Sequence, residues 1–170
     1  FDGSNAFLFS LLFENSNIET IDLESNQDDF KNFYERKNNI SKFIEARNQN
    51  LLRSNKINFR EINSINLINY KNKYDLIWID GAHGYPVVCM DILNSIKLIR
   101  PGGYIICDDV YVNSTNSDKM YRSNAANETF NELKKEGIIN FDLIFKRLDA
   151  ENNCLEENRK FIAIVSLVTS

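Results

Sequence analysis

The segment Tyr74–Pro86, YDLIWIDGAHGYP, decides how the chain reads. Leu76, Ile77, Trp78 and Ile79 follow one another, so both faces of a strand here would be apolar. Such a run marks a central strand of a parallel sheet, covered on both sides. It stops at Asp80-Gly81-Ala82-His83, and His83 is the only histidine in 170 residues. A buried strand ending in a carboxylate, followed at once by the one side chain that titrates near neutrality, puts chemistry at the carboxyl end of the strand.

The neighbouring segments extend the pattern. Upstream, Ser4 or Asn5 caps a helix over Ala6–Glu14, with Phe7, Leu8, Leu11 and Leu12 at helical spacing. Ile18–Asp22 alternates as a short strand ending in an acid. Gln27–Leu52 sets Phe30, Phe33, Tyr34, Ile40, Phe43, Ile44, Leu51 and Leu52 on a polar background. That is one or two amphipathic helices with a break near Asn38–Asn39. Ile57–Ile62 is a strand, and Asn63–Lys73 is a loop or short helix.

Downstream, Val88, Ile92, Ile96 and Ile99 define a helix over Tyr85–Ile99. Pro101-Gly102-Gly103 turns the chain into a buried strand, Tyr104–Cys107, which ends in Asp108-Asp109. Asn124–Glu136 is a helix closed by Gly137. Phe141–Arg147 and Phe161–Val168 are strands, and the stretch between them lacks a helical period. It therefore suits an antiparallel hairpin better than a crossover. The order predicts an α/β sandwich, mostly parallel, with one antiparallel strand. A sheet of this kind begins with a strand, and none precedes the first helix. The reading is one domain over residues 1–170, N-terminally incomplete, with its first strand missing.

Composition sets outer bounds. A domain of this length buries about 70% of its unfolded surface, so disulfides are not needed. Cys89, Cys107 and Cys154 are scattered with no CxxC pair, as in a reducing compartment, and the expected location is cytoplasmic. A net charge of −4 argues against a nucleic-acid partner. No apolar run approaches the ~20 residues of a membrane span. The opening FDGSNAFLFSLLF has no basic leading region and contains Asp2, so it is not read as a signal peptide.

Three strands end in acids: Asp22, Asp80, and Asp108-Asp109. In a parallel sheet these converge on the edge where ligands bind. One such acid could be a helix cap or a solvated loop residue. Several together would repel one another, and call for a cation or hydroxyl donors. Asp22 suits a ribose diol, because a carboxylate offers two oxygens at diol spacing. Asp80, Asp108 and Asp109 offer oxygen ligands to a hard ion such as Mg²⁺ or Ca²⁺. Tyr85 and Tyr111 flank the acids as stacking residues. Tyr111–Ser123 reads as a lid or a surface loop. Cys107 reads as core.

YDLIWIDGAHGYPVVCMDILNSIKLIRPGGYIICDDV resembles the class I S-adenosylmethionine-dependent methyltransferases, above all the small-molecule branch with D-G-x-H-x-Y followed by P-G-G and D-(D/N). The resemblance runs from Asp2 to the final hairpin and is strongest over Tyr74–Val110. It implies a Rossmann-like three-layer sandwich with a seven-stranded sheet whose last strand is inserted antiparallel. It also implies that Asp2, Gly3, Ser4 and Asn5 form the tail of the first cofactor motif, whose leading acid and glycine are not in this sequence. Asp22 matches the ribose acid, Asn63 and Ser64 the adenine contacts, and Asp80 the acid near the methionine end.

Similarity to the cation-dependent O-methyltransferases further implies a divalent ion at Asp80, Asp108 and Asp109. In the catechol-type enzymes a lysine base lies three residues after the first metal acid. His83 stands at that position here. The implied reaction is methyl transfer from S-adenosylmethionine to a small hydroxylated acceptor, with Asp80 and His83 catalytic. The expected partners are the small-molecule acceptor and, in a homodimer, a second copy of the chain. His83 could instead hold its turn. A methyltransferase-like domain that only binds, or a nicotinamide-dependent oxidoreductase on a related sheet, are the competing readings.

Overall fold

A computed structural model describes residues 2–32, 38–114, 122–146 and 159–168. The chain divides into two compact units, Phe1–Asn66 and Leu67–Ser170. The first holds helix α1 (Ser4–Leu12), strand β1 (Ile18–Asp22), helices α2 (Asp28–Asn32) and α3 (Ile40–Leu52), and strand β2 (Ile57–Glu61). β1 and β2 pair in parallel, from Ile18 opposite Ile57 to Asp22 opposite Glu61. Parallel neighbours need a crossover, and the helical segment between them supplies it. A 3-10 helix, Ser64–Asn69, follows β2.

The start of α1 explains its glycine. Gly3 has φ +78°, and a Cβ there would lie 3.1 Å from Leu51 Cγ and 3.2 Å from the Arg47 carbonyl oxygen. Close packing of α1 on α3 and a left-handed backbone both demand glycine. Asp2 Oδ1 accepts hydrogen bonds from the Ser4 amide (3.1 Å) and hydroxyl (2.6 Å), which caps the helix start from outside.

The second unit holds strand β3 (Tyr74–Ile79), helix α4 (Val87–Leu98), strand β4 (Ile99–Tyr111), helix α5 (Ala125–Lys135), and strands β5 (Ile139–Phe145) and β6 (Lys160–Leu167). The order is β3-β4-β6-β5. β3 and β4 are parallel, while β6 runs antiparallel between β4 and β5. The expected hairpin is present, and its second strand is the one inserted next to the parallel pair. Val88 and Ile92 of α4 and Ala125, Ala126 and Phe130 of α5 meet Ile79, Ile105, Cys107, Ile139, Ala163 and Val165 in one core. This is a mixed α/β, Rossmann-like fold, with six strands among the described residues.

One expectation needs correction. Pro101-Gly102-Gly103 is not a turn ahead of the strand, because β4 already begins at Ile99. Tyr74 pairs with Ile99 and Leu76 with Tyr104, so residues 100–103 bulge opposite Asp75 alone. Gly102, at φ +81°, gives the bulge its bend. A Cβ on Gly103 would lie 2.7 Å from the Asp75 carbonyl oxygen, closer than atoms pack. Arg100 Nη1 closes the bulge with bonds of 2.8 and 2.7 Å to the two Asp75 carboxylate oxygens. Gly103→Ala is therefore expected to destabilise the protein by roughly 1–3 kcal/mol. Denaturant unfolding measures this, and an unchanged midpoint would refute the close approach.

Candidate functional site in the second unit

β4 should alternate between core and outside with period two. Ile105 and Cys107 face the core, so strict alternation would drive Asp109 into it as well. The chain avoids this with a second bulge. Cys107 pairs with Ala163 and Val110 with Phe161, leaving Asp108 and Asp109 opposite Ile162 alone. Val110 takes the core position beside Cys107, and both carboxylates are turned out of it. The backbone conformation is unusual: Asp109 has φ +51°. That region is sparsely used by residues with a Cβ, though aspartate enters it more readily than most. Asp108 Oδ1 accepts a 2.8 Å bond from the Asp109 amide, which fixes the bend.

The hairpin brings two cations to this bulge. Lys160 opens β6 opposite Tyr111, and the Lys146 amide donates to the Lys160 carbonyl at 2.9 Å just beyond β5. Two lysines facing each other across a strand pair repel. Here carboxylates lie between them. Lys146 Nζ is 2.5 Å from Asp108 Oδ1 and 2.8 Å from Asp109 Oδ1, and Lys160 Nζ is 2.5 Å from Asp109 Oδ2. All four side chains are largely buried, at 13–22% exposure. Burial favours neutral carboxyls, but the two ammonium groups overcome it and hold Asp109 below the usual carboxylate range. Lys146 is raised in return.

Asp80 follows β3 directly, and His83 lies three residues further on. Asp80 is raised from 3.8 to about 6, first by burial and then by the negative charges of Asp108 and Asp109. Water still reaches Asp80, which softens the burial effect, while the two neighbouring carboxylates push the same way. His83 is buried, with 8% exposure. Burial lowers it from 6.5, Asp109 pulls it back and Lys160 pushes it down again. The imidazole is therefore neutral at neutral pH, with a lone pair able to accept a proton. Gly81 keeps the turn narrow, since a Cβ there would sit 3.2 Å from Asp91 Oδ2 of α4.

The remaining candidates lie in the first unit. Asp22 ends β1 beside Glu61, which ends β2. Asp22 Oδ1 accepts a 2.9 Å bond from the Leu23 amide, and Oδ2 lies 3.9 Å from Arg47 Nη1. Arg47 also donates to Glu61 at 3.0 Å, and its guanidinium lies 4.4 Å from the centre of the Phe59 ring. Arg47 is 3% exposed, a buried cation shared by two strand-end acids. Asn63 Oδ1 accepts from the Ile65 amide at 3.0 Å and so starts the 3-10 helix that Ser64 opens. Asp2, Gly3, Ser4 and Asn5 form the start of α1.

The second unit thus brings Asp80, His83, Asp108 and Asp109 together, while Asp2, Gly3, Ser4, Asn5, Asp22, Asn63 and Ser64 belong to the first unit. Three cations were missed by sequence reading: Arg47, Lys146 and Lys160. The signal for the lysines was their place at the mouth of the predicted hairpin, next to the end of β4. Tyr111 is corrected: it ends β4, 2% exposed, beneath Lys160 Nζ at 5.6 Å from its ring centre, and offers no open face for stacking. Residues 115–121 of the expected lid lie outside the described residues. Burial pushes the Cys107 thiol up, which keeps it protonated and in the core. Among the described residues, no three His, Cys, Asp or Glu side chains stand as a metal-ligand group.

A methyltransferase-domain family matches residues 3–110. No curated protein sequence matches the chain. Among solved structures, the O-methyltransferase from Bacillus cereus in complex with SAH is 16% identical, with 89% of this chain and 62% of that one covered and a TM-score of 0.54. The cofactor-bound Rv0187 from MTB is 16% identical over 91% of this chain and 62% of that one, with a TM-score of 0.60. TehB from Haemophilus influenzae is 17% identical over 99% and 55%, with a TM-score of 0.61. The chain thus spans about three fifths of the length of these structures. At these identities the likeness establishes the fold.

Two outcomes follow from the charges. A carboxyl whose folded pKa is raised favours the fold while protonated, and that contribution is lost as pH rises through about 6. Asp80→Asn should raise Tm at pH 8 by roughly 1–3 °C, the small value reflecting solvent access. The gain should vanish below pH 4, and a pH-independent gain would contradict the charge assignment. Arg47→Met should lower stability by roughly 1–3 kcal/mol by removing the buried cation that Asp22 and Glu61 share, as denaturant unfolding would show.

Proposed function

The chain belongs to the methyltransferase-domain family, with the class I S-adenosylmethionine-dependent fold, and from that premise we propose that it transfers the methyl group of S-adenosylmethionine to a small hydroxylated acceptor. The observation that carries the proposal is the group Asp80, His83, Asp108 and Asp109 at the carboxyl ends of β3 and β4, where such sheets bind ligands.

The donors of the first unit fit the cofactor's chemistry. A carboxylate at Asp22 suits a ribose diol, the amide and hydroxyl of Asn63 and Ser64 suit a purine edge, and the Asp2–Asn5 start of α1 suits the remainder. S-adenosylmethionine, when bound, supplies a sulfonium-activated methyl group. The protein's own part is to orient the acceptor and handle one proton. His83 is the group for that proton: neutral through burial, it takes the hydroxyl proton on an imidazole nitrogen as the acceptor oxygen bonds to the methyl carbon. The carbon–sulfur bond breaks, and its electron pair stays on sulfur. Asp80, at the end of β3, is ionised above about pH 6 and orients the acceptor hydroxyl.

A divalent ion at Asp80, Asp108 and Asp109 was the expectation from resemblance. The donor set does not fit it. Three oxygen ligands must face one centre, whereas Asp108 and Asp109 face Lys146 and Lys160.

Calorimetry of the full-length protein with S-adenosylmethionine and with its demethylated product tests the proposal. Binding of both is expected, and absence of both would end the methyl-transfer reading. Once an acceptor is found, His83→Gln should lower kcat by about 10²–10⁴-fold, the usual contribution of a positioned base. An unchanged kcat would return His83 to a purely structural role.

A further inference from the structure

Two carboxylates that are largely buried side by side need positive charge close by, from an ion or from the chain itself. In this chain the hairpin supplies it. Asp108 and Asp109 come from one bulge of β4, and Lys146 and Lys160 come from the facing mouth of β5 and β6. Three short contacts join them, and each lysine reaches a different oxygen of Asp109. The four groups sum to zero charge. A divalent ion entering here would have to displace two ammonium groups from their bonds.

We propose that Lys146 and Lys160 are positioning residues that stand in the place of a metal ion, so that the site works without a divalent cation and meets its acceptor with ammonium N–H donors. Each ammonium carries three donors. Lys146 spends two on the carboxylates and Lys160 one. That leaves one donor on Lys146 and two on Lys160, each a directional N–H that meets one lone pair, where a metal would offer several coordination sites to one ligand. They suit an acceptor that presents one oxygen at a time and give no advantage to a chelating pair of oxygens. The exclusion of metal stands on the Lys–Asp geometry alone, whereas this choice of acceptor rests on the methyl-transfer reading above.

The test is Mn²⁺ titration of the full-length protein, followed by calorimetry and by the electron paramagnetic resonance signal of free Mn²⁺. The wild type should take up no Mn²⁺ at this site and keep the same Tm in MgCl₂ and in EDTA. Lys146→Met with Lys160→Met should create a site, with a dissociation constant of about 10⁻⁴–10⁻³ M, as for weak carboxylate sites, and a Tm that rises with Mn²⁺. Lys146→Arg with Lys160→Arg should remain silent, because positive charge is restored. If the double Met variant does not fold, Lys160→Met alone decides, since it leaves one oxygen of Asp109 uncompensated and should bind Mn²⁺ weakly.

Uptake by the wild type that Asp109→Asn abolishes would overturn the proposal. So would a folded Met variant that stays silent. S-adenosylmethionine titrated into the same samples separates the two readings. If the cofactor fails to bind while the Mn²⁺ pattern holds, the methyl-transfer reading falls and the lysine pair stands.

Discussion

Asp108 and Asp109 are adjacent and largely buried, and the second unit is arranged around that fact. Left alone, two such carboxylates would share a proton or draw in a cation. The chain answers with a strand inserted antiparallel next to β4. Its first residue, Lys160, and the residue just after its hairpin partner, Lys146, are the counter-charges. The antiparallel strand is thus more than a feature of topology. A parallel strand in that place would present its carboxyl end here, and the residue that opens it would lie at the far edge of the sheet.

The bulge and the lysines depend on each other. Without the extra residue, strand alternation would turn Asp109 into the apolar core that holds Cys107, Val88 and Ile92. With it, Val110 fills the core and the acids reach the lysines. The φ of +51° at Asp109 is the local strain this arrangement carries. The first unit reaches the same end by other means. Asp22 and Glu61 end two paired parallel strands, and Arg47 of α3 serves both acids. A planar guanidinium can bridge two strand ends and stack on Phe59 and Phe30, which a lysine could not do.

Much of this could be read from sequence where the signal is local. YDLIWI announced a strand, though not a central one: among its residues only Ile79 is buried, and β3 stands at the end of the order β3-β4-β6-β5. The Val88–Ile92–Ile96 spacing announced a helix, and the unpatterned stretch after Arg147 a hairpin. Asp80, His83, Asp108 and Asp109 were found because each follows a strand. What stayed hidden depends on register or on distance. The bulge at Asp108-Asp109 shows only when β6 is laid against β4, since the sequence of one strand does not reveal how many residues face one partner. Pro101-Gly102-Gly103 looked like a turn because proline and glycine mark both turns and bulges. Lys146 and Lys160 were passed over because solvated lysines at strand ends are common, and the acids that hold them are 37 and 51 residues away. Tyr111 follows two acids, a pattern that suits a loop, and only the pairing with Lys160 shows that β4 runs on to it.

A carboxylate pair neutralised by the chain's own ammonium groups differs from a metal-loaded one in a way that can be seen directly. A crystal of the full-length protein grown with S-adenosylmethionine product and Mn²⁺, with data collected at the manganese edge, is the most direct test. The expected map has no anomalous peak among Asp80, Asp108 and Asp109, and shows Lys146 Nζ within hydrogen-bond reach of both bulge carboxylates. A manganese peak bridging those acids, with Lys146 and Lys160 swung away, would contradict it.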